Sequence, residues 1–236
     1  MTIQFDTYGF RARALPVFIT LAPAALLAVA FAPDGLQLPF GGFVTIILGP
    51  LSFMLSQIGA DFGKQLEKRL WTAWGGPPTT RFLRNGNAEF NAVTRNRVHE
   101  ELRKLGLHVP ARAEEEHDNT KADKYFESCT EELIRRTRDR ARFPLVFKAL
   151  VEYGFRRNLL GLKPFGVTLT SATLAVAAWS AYTNWSIEHI PIVPAATAFI
   201  GMVLLLMWIA WVTPSTVKLS AERYARFILE AALSQE

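Results

Sequence analysis

Four stretches of this chain carry almost no charge, and each is long enough to cross a lipid bilayer as a helix. They read LPVFITLAPAALLAVAFA from Leu15 to Ala32, LPFGGFVTIILGPLSFMLSQI from Leu38 to Ile58, FGVTLTSATLAVAAWSAYTNWSI from Phe165 to Ile187, and IPIVPAATAFIGMVLLLMWIAWVT from Ile190 to Thr213. Their lengths of 18 to 24 residues match the roughly 20 that a helix rising about 1.5 Å per residue needs to cover about 30 Å of hydrocarbon. A core helix of a soluble bundle keeps a polar stripe, and the longest of these segments have none. The fold class expected is therefore all-α and integral to a membrane, with four transmembrane helices and a helical cytoplasmic domain inserted between helices two and three. In residue numbers, a cytoplasmic N-terminal segment covers 1–14, a first hairpin 15–60, the domain 61–163, a second hairpin 164–213 and an amphipathic C-terminal helix 214–236. Arg11 and Arg13 precede the first stretch as they would in a cleaved secretory signal, but the short link to the second apolar run favours a retained hairpin.

Charge sets the orientation. Of the 26 lysines and arginines, 2 precede the first span, 21 lie between Asp61 and Lys163, 3 follow the fourth span and 0 fall in the hairpin loops. The positive-inside rule puts both termini and the central domain in the cytoplasm, and the loops around Asp34 and Glu188 outside. Charges next to the membrane carry most of that inference: Lys64, Lys68 and Arg69 on one side, Arg156, Arg157 and Lys163 on the other.

Inside the spans, no Asp, Glu, Lys, Arg or His stands near the middle, which disfavours an ion-coupled transporter. The residues expected to pack helices or line a pore are Gly49, Pro50, Ser52, Ser56, Gln57 and Asp61 around the second span, with Thr170 and Thr173 in the third. Glycines and serines let helices approach, and Gly49-Pro50 marks a kink. Gln57 and Asp61 share a face that serves either the headgroup layer or a polar vestibule. Hydroxyls bond back to their own helix as readily as they line water. Trp179, Tyr182 and Trp185, and then Trp208 and Trp211, read as interfacial belts.

In the central region, Gln65 to Trp74 continues the second span as an amphipathic helix, and Gly75-Gly76-Pro77-Pro78 stops it. Thr79 or Thr80 is expected to cap the turn that follows. Asn91 opens a helix that Gly106 ends, with Val98, Leu102 and Leu105 inward. A longer helix from about Asn119 to Arg140 buries Ala122, Tyr125, Phe126, Cys129, Leu133 and Ile134. The segment FPLVFKALVEYGFRRNLLGLKP is too interrupted to span and leads into span three. The last piece, SAERYARFILEAAL, offers Tyr224, Phe227, Ile228 and Leu233 to a membrane surface or a partner subunit.

Chemistry is sparse. His99-Glu100 begins a zinc-peptidase motif, but Arg103 stands where the second histidine belongs. The run Glu114 to Glu116 with His117, Asp118 and Asp123 has no diagnostic ligand spacing and reads as a solvated acidic face. Cys129 is the only cysteine, so no CxxC site exists and the thiol reads as a small buried residue. No catalytic residue, metal or cofactor is expected. Arg81, Arg84, Arg156, Arg157 and Asn158 are the candidates to bind a partner, a lipid headgroup or a small anion. Nucleic acid is not expected, because the excess of 21 basic over 15 acidic residues in the central region follows from topology alone.

The segments LEKRLWTAWGGPPTTRFLR and EYGFRRNLLGLKP resemble a family of bacterial four-pass membrane proteins, over roughly Lys64 to Lys163 and the flanking spans. The resemblance implies a topology and the inner membrane of a bacterium; it brings no activity. It further implies that Trp74, Gly75, Gly76, Thr79, Thr80, Arg81, Arg84, Tyr153, Gly154, Arg156, Arg157 and Asn158 are the positions a shared function would use. The function expected is a non-enzymatic scaffold, sensor or effector that works as a homo-oligomer with membrane lipid and a cytoplasmic protein as partners. A passive or signal-gated channel is the first alternative. A membrane-interface enzyme acting on lipid through His99 or the acidic cluster is the second.

Overall fold

A computed structural model describes residues 8–32, 37–186 and 191–234, the side chains of 37–52 excepted. The described residues form nine α-helices and no strand: α1 (Leu15–Ala30), α2 (Gln37–Trp74), α3 (Pro78–Leu83), α4 (Ala92–Lys104), α5 (Arg112–His117), α6 (Asn119–Arg136), α7 (Pro144–Thr183), α8 (Ile192–Ala210) and α9 (Pro214–Ala231). A π-helical turn, Gly9–Ala14, leads into α1. The chain divides into two compact units, one made of Met1–Leu66 with Gly154–Val217 and the other of Glu67–Tyr153 with Lys218–Glu236.

Among the described residues, three helices are long and apolar enough to cross a membrane: Gly9–Ala30, Pro144–Thr183 and Ile192–Ala210. Large apolar side chains on the first unit face outward, among them Phe53, Trp179, Ile192 and Phe199, each about 70% exposed. A water-soluble chain would hide such a surface, and a lipid-facing one presents it. The chain is thus a multi-pass helical membrane protein with an inserted helical segment. The second predicted span lies within α2, and the calls on Gly49, Pro50 and Ser52 fall outside the residues whose side chains are described.

Packing in the first unit depends on missing side chains. A Cβ added at Gly161 would come within 2.8 Å of the Gly63 backbone nitrogen, and one added at Gly63 would collide with the Asn158 side chain. Helices α2 and α7 therefore touch backbone to backbone, as small residues permit in lipid. Gly166 makes the same kind of space for the ring of Trp208. Trp208 is consequently 0% exposed rather than an interfacial anchor, whereas Trp211 is 42% exposed with the Arg156 guanidinium 5.8 Å from its ring centre. Helix α7 joins the segment before span three to the span itself and runs unbroken through Pro164. One proline removes a single intrahelical bond, and packed neighbours keep the helix continuous.

The second unit has a core of its own, made by Phe82, Leu83, Phe90, Val98, Leu102, Phe126, Leu133, Ile228 and Leu229 with smaller residues around them. Asn91 caps α4 by accepting from the N–H groups of Val93 (2.9 Å) and Thr94 (3.1 Å), and Gly106 follows it at φ 78°, where a Cβ would be strained. Helix α3 starts earlier than expected, with Pro77 at the cap position and Pro78 as its first residue. Proline suits that place, since its missing N–H has no helical partner there. Helix α6 ends at Arg136 and not Arg140, because Asp139 turns the chain by accepting from Ala141 (2.9 Å) and Arg142 (3.2 Å). Ile134 lies at the surface, 39% exposed, against the inward place predicted for it.

The largest correction concerns the C-terminal helix. Its apolar face was expected to serve a membrane or another subunit; instead Ile228 and Leu229 are fully buried in the core, with Tyr224, Phe227 and Leu233 packed against it. Arg226 fixes it further, donating to the Glu89 carbonyl (2.8 Å) with its guanidinium 5.0 Å from the Phe82 ring centre.

The glycine contact yields a direct test. Gly161→Leu must force α2 and α7 apart and is expected to destabilise the detergent-purified protein by about 1–3 kcal/mol, read as a lowered unfolding midpoint. Gly86→Ala, with nothing within 4 Å of the added carbon, should change it by less than about 0.5 kcal/mol.

Candidate functional site

Helical spacing in three separate parts of the second unit lines one cavity of about 420 Å³. Glu67 and Trp71 stand one turn apart on α2; Glu127, Thr130, Glu131 and Ile134 form one face of α6; Ala221, Tyr224, Ala225 and Ile228 form one face of α9. Positions three, four and seven apart share a helix face, so each element presents a strip rather than a point. Pro77 to Thr80 and Tyr153 complete the wall. The Gly75-Gly76 turn sets that part in place: both glycines have positive φ, 80° and 124°, and the Gly76 N–H returns to the Trp71 carbonyl at 2.8 Å. This closes the end of α2 in the left-handed manner that glycine allows.

The polar groups of the wall fall into two classes. Some are satisfied internally: the Tyr153 hydroxyl donates to Glu67 Oε2 at 2.6 Å, and Thr130 Oγ1 donates to the Phe126 carbonyl at 2.9 Å. Tyr153 also stacks on Tyr224, with ring centres 6.2 Å apart and planes inclined by 16°. Others have nothing to bind among the described residues, namely Trp71 Nε1 and the Thr80 hydroxyl. Thr80 is 1% exposed, and a buried hydroxyl left unpaired costs about 1–3 kcal/mol. Three carboxylates and no Lys, Arg or His line the space.

The arginines singled out in the sequence lie elsewhere in the lattice of contacts. Arg81 is bonded to Glu89 and lies 3.5 Å from Glu222. Arg84 grips Asp123 with two hydrogen bonds, 2.8 and 2.6 Å, and that carboxylate holds its guanidinium above the ordinary arginine value. In the first unit Arg156 donates to the Thr216 carbonyl (3.2 Å), and Arg157 reaches Asn158 Oδ1 (3.4 Å). Asn158, 1% exposed, donates to the Ala12 carbonyl at 2.7 Å. Pro16, four residues beyond Ala12, has no N–H to offer that carbonyl, so the asparagine takes the missing place.

Span hydroxyls turn back on their own helices. Ser56 Oγ donates to the Phe53 carbonyl (2.6 Å) and Thr170 Oγ1 to the Gly166 carbonyl (2.6 Å); Thr173 is buried, while Gln57 and Asp61 are exposed. The acidic run is likewise taken up. Glu114 pairs with His108 (2.9 Å), Glu115 accepts from the Asn85 backbone (2.8 Å), Glu116 binds Arg112 (2.8 Å) and Asp118 caps α6 through the Lys121 N–H (3.0 Å). Cys129 is buried, and burial pushes its thiol up to about 11.

Sequence reasoning reached Thr80 and Tyr153 through the resembling segments and singled out Tyr224 for a membrane surface or a partner subunit, but missed Glu127 and Glu131. Lys124 and Arg135 stand at helical spacing from Glu127 and Glu131, so the sequence offers them partners, and only the structure shows Arg135 turned to Glu132. The amphipathic pattern of α9 marked Tyr224, but what covers that face is not written in its periodicity.

His99 is buried between Leu83 and Phe126: its Nε2 donates to the Leu83 carbonyl at 2.9 Å, and its ring centre is 6.0 Å from that of Phe126. Burial holds its pKa below the ordinary imidazole value. As pH falls below about 6.5, the unfolded chain binds a proton that the folded chain refuses, so stability declines until the folded His99 itself protonates. Denaturant unfolding followed from about pH 8 down to about pH 5, across the imidazole range, should show that decline, and His99→Gln should flatten it. Compared with known protein families, curated proteins and solved structures, the chain matches none.

Proposed function

We propose that this chain is a four-pass protein of a bacterial inner membrane, with both termini in the cytoplasm, that works as a sensor or effector by binding a ligand in its cytoplasmic helical domain, and that it does so as a homo-oligomer. The observation that carries the reading is the cavity in the second unit, where side chains separated by more than a hundred residues in sequence converge on unpartnered Trp71 and Thr80. Structural cores hide polar atoms with their partners; binding sites keep a few in reserve. The count of four spans rests on the apolar text of Leu38 to Ile58, and the orientation on the distribution of basic residues. Oligomerisation is supported by the small residues of the second span, Gly49 and Ser52 among them, since small side chains let helices of separate copies approach in lipid.

A cysteine at Ile134, on the cavity wall, tests the reading. Its background is low, since Cys129 is buried and its thiol is pushed up to about 11. Ile134→Cys should react with a membrane-impermeant maleimide in inverted vesicles and not in intact cells. The reaction should slow when a cytosolic fraction is added, and the slowing should vanish in Ala225→Trp, which fills the cavity. Labelling from outside intact cells, or a rate indifferent to every cytosolic fraction, would remove the proposal.

A further inference from the structure

We propose that the cavity takes an alkylammonium group, either a soluble amine or the headgroup of a zwitterionic lipid; the inference rests on reading the second unit as a binding module. Charge is the first argument. The cavity gathers Glu67, Glu127 and Glu131 within a stretch that carries 21 basic and 15 acidic residues, so membrane topology does not account for it. Neighbouring carboxylates are matched: Asp123 with Arg84, Glu132 with Arg135 and Arg136, Glu152 with Arg223. Glu127 and Glu131 join no ion pair among the described residues. They sit four apart on α6, a spacing at which like charges repel by about 0.2–0.5 kcal/mol on a helix surface. A cation between them reverses that sign.

The walls say which cation. A calcium ion asks for six to eight oxygens at about 2.3–2.6 Å, and this cavity offers three carboxylates among alanine, proline, isoleucine and aromatic side chains. Three aromatic residues, Trp71, Tyr153 and Tyr224, supply rings in the same wall, and their faces attract an ammonium that is too weakly hydrated to prefer water. The apolar remainder suits methyl or methylene groups. A volume of about 420 Å³ admits one small organic cation with room for a short chain, within the roughly 300–1,000 Å³ usual for ligand pockets.

The unpartnered atoms narrow the class further. Trp71 Nε1 can only donate, and the Thr80 hydroxyl donates or accepts. A ligand that carries an oxygen close to its ammonium gives the indole an acceptor, which tetramethylammonium cannot. An oxygen-bearing quaternary amine such as choline therefore fits better than the bare cation.

The full chain in a nonionic detergent, titrated calorimetrically with choline chloride, should bind saturably. Its neutral isostere 3,3-dimethylbutan-1-ol should bind at least about tenfold more weakly, as should choline to Glu127→Gln/Glu131→Gln, with tetramethylammonium in between. Both glutamates are exposed, so the double variant should keep its helical circular dichroism. Trp71→Leu should weaken choline more than it weakens tetramethylammonium. Reconstitution separates the sources: if choline binds more weakly in phosphatidylcholine nanodiscs than in phosphatidylglycerol nanodiscs, the headgroup competes for the site; equal binding assigns a soluble amine. Absence of choline binding, equal binding of the neutral isostere, or indifference to the double substitution would overturn the inference. If choline fails while Ile134→Cys is still protected by a cytosolic fraction, the ligand class falls and the binding module stands.

Discussion

Hydrocarbon offers no hydrogen-bond partner, and the first unit is built around that refusal. Its hydroxyls are spent on backbone: Thr20 on the Pro16 carbonyl (2.8 Å), Thr197 on the Val193 carbonyl (2.9 Å), and Ser56 and Thr170 in the same way. Longer polar side chains are aimed at carbonyls that helices leave open. Lys163 reaches the Val212 carbonyl at 2.7 Å, just past the end of α8, where a positive charge also opposes the helix dipole. With polar groups turned inward, the stretches of α2 and α7 that belong to the first unit pack through van der Waals contact at Gly63 and Gly161. Gly63 and Gly161 bring their backbones close enough for that contact to count.

Water changes the rules for the second unit. Charges there can be carried as pairs, and α9 is attached by several: Glu222 near Arg81, Arg223 on Glu152 at 2.9 Å, Arg226 on the Glu89 carbonyl. Exposed pairs contribute little individually, so the burial of Ile228 and Leu229 holds the helix while the charges fix its register. Glu127 and Glu131 join no ion pair among the described residues, and both stand on the wall of the cavity.

Much of this was legible in the sequence because it depends on local chemistry. Apolar length marks α1, α7 and α8; Asn91 and Gly106 bracket α4 through capping and φ; Phe126, Cys129 and Leu133 share one face of α6 by period alone. Periodicity tells which face of a helix is apolar and is silent on what covers it. That is why α9 was assigned to a membrane or a partner, and why Trp208 was read as an anchor before Gly166 was seen to receive it. The partners of the candidate arginines are hidden for a related reason. Arg81 and Glu222 are 141 positions apart, so a sequence shows the charge without its neutraliser, and all four look available until the fold gives them partners. The candidate site was the least readable part, because it is assembled from strips that are unremarkable one at a time.

That long-range assembly has a kinetic consequence. Ile228 and Leu229 belong to the same core as Phe82, Phe126 and Leu133, yet α7 and α8 are made in between. At about 5–20 residues per second, the central segment waits roughly 4–15 s after Tyr153 for α9 to emerge. During that interval its apolar core lacks one wall, and the third and fourth apolar stretches are entering lipid. The cavity is missing as well, since Ala221, Tyr224 and Ala225 supply one side of it. A ligand that needs Tyr224 therefore cannot bind an intermediate that lacks α9. Binding stabilises only the state that has it, so occupancy of the cavity is tied to docking of the last helix rather than to folding of the central segment alone.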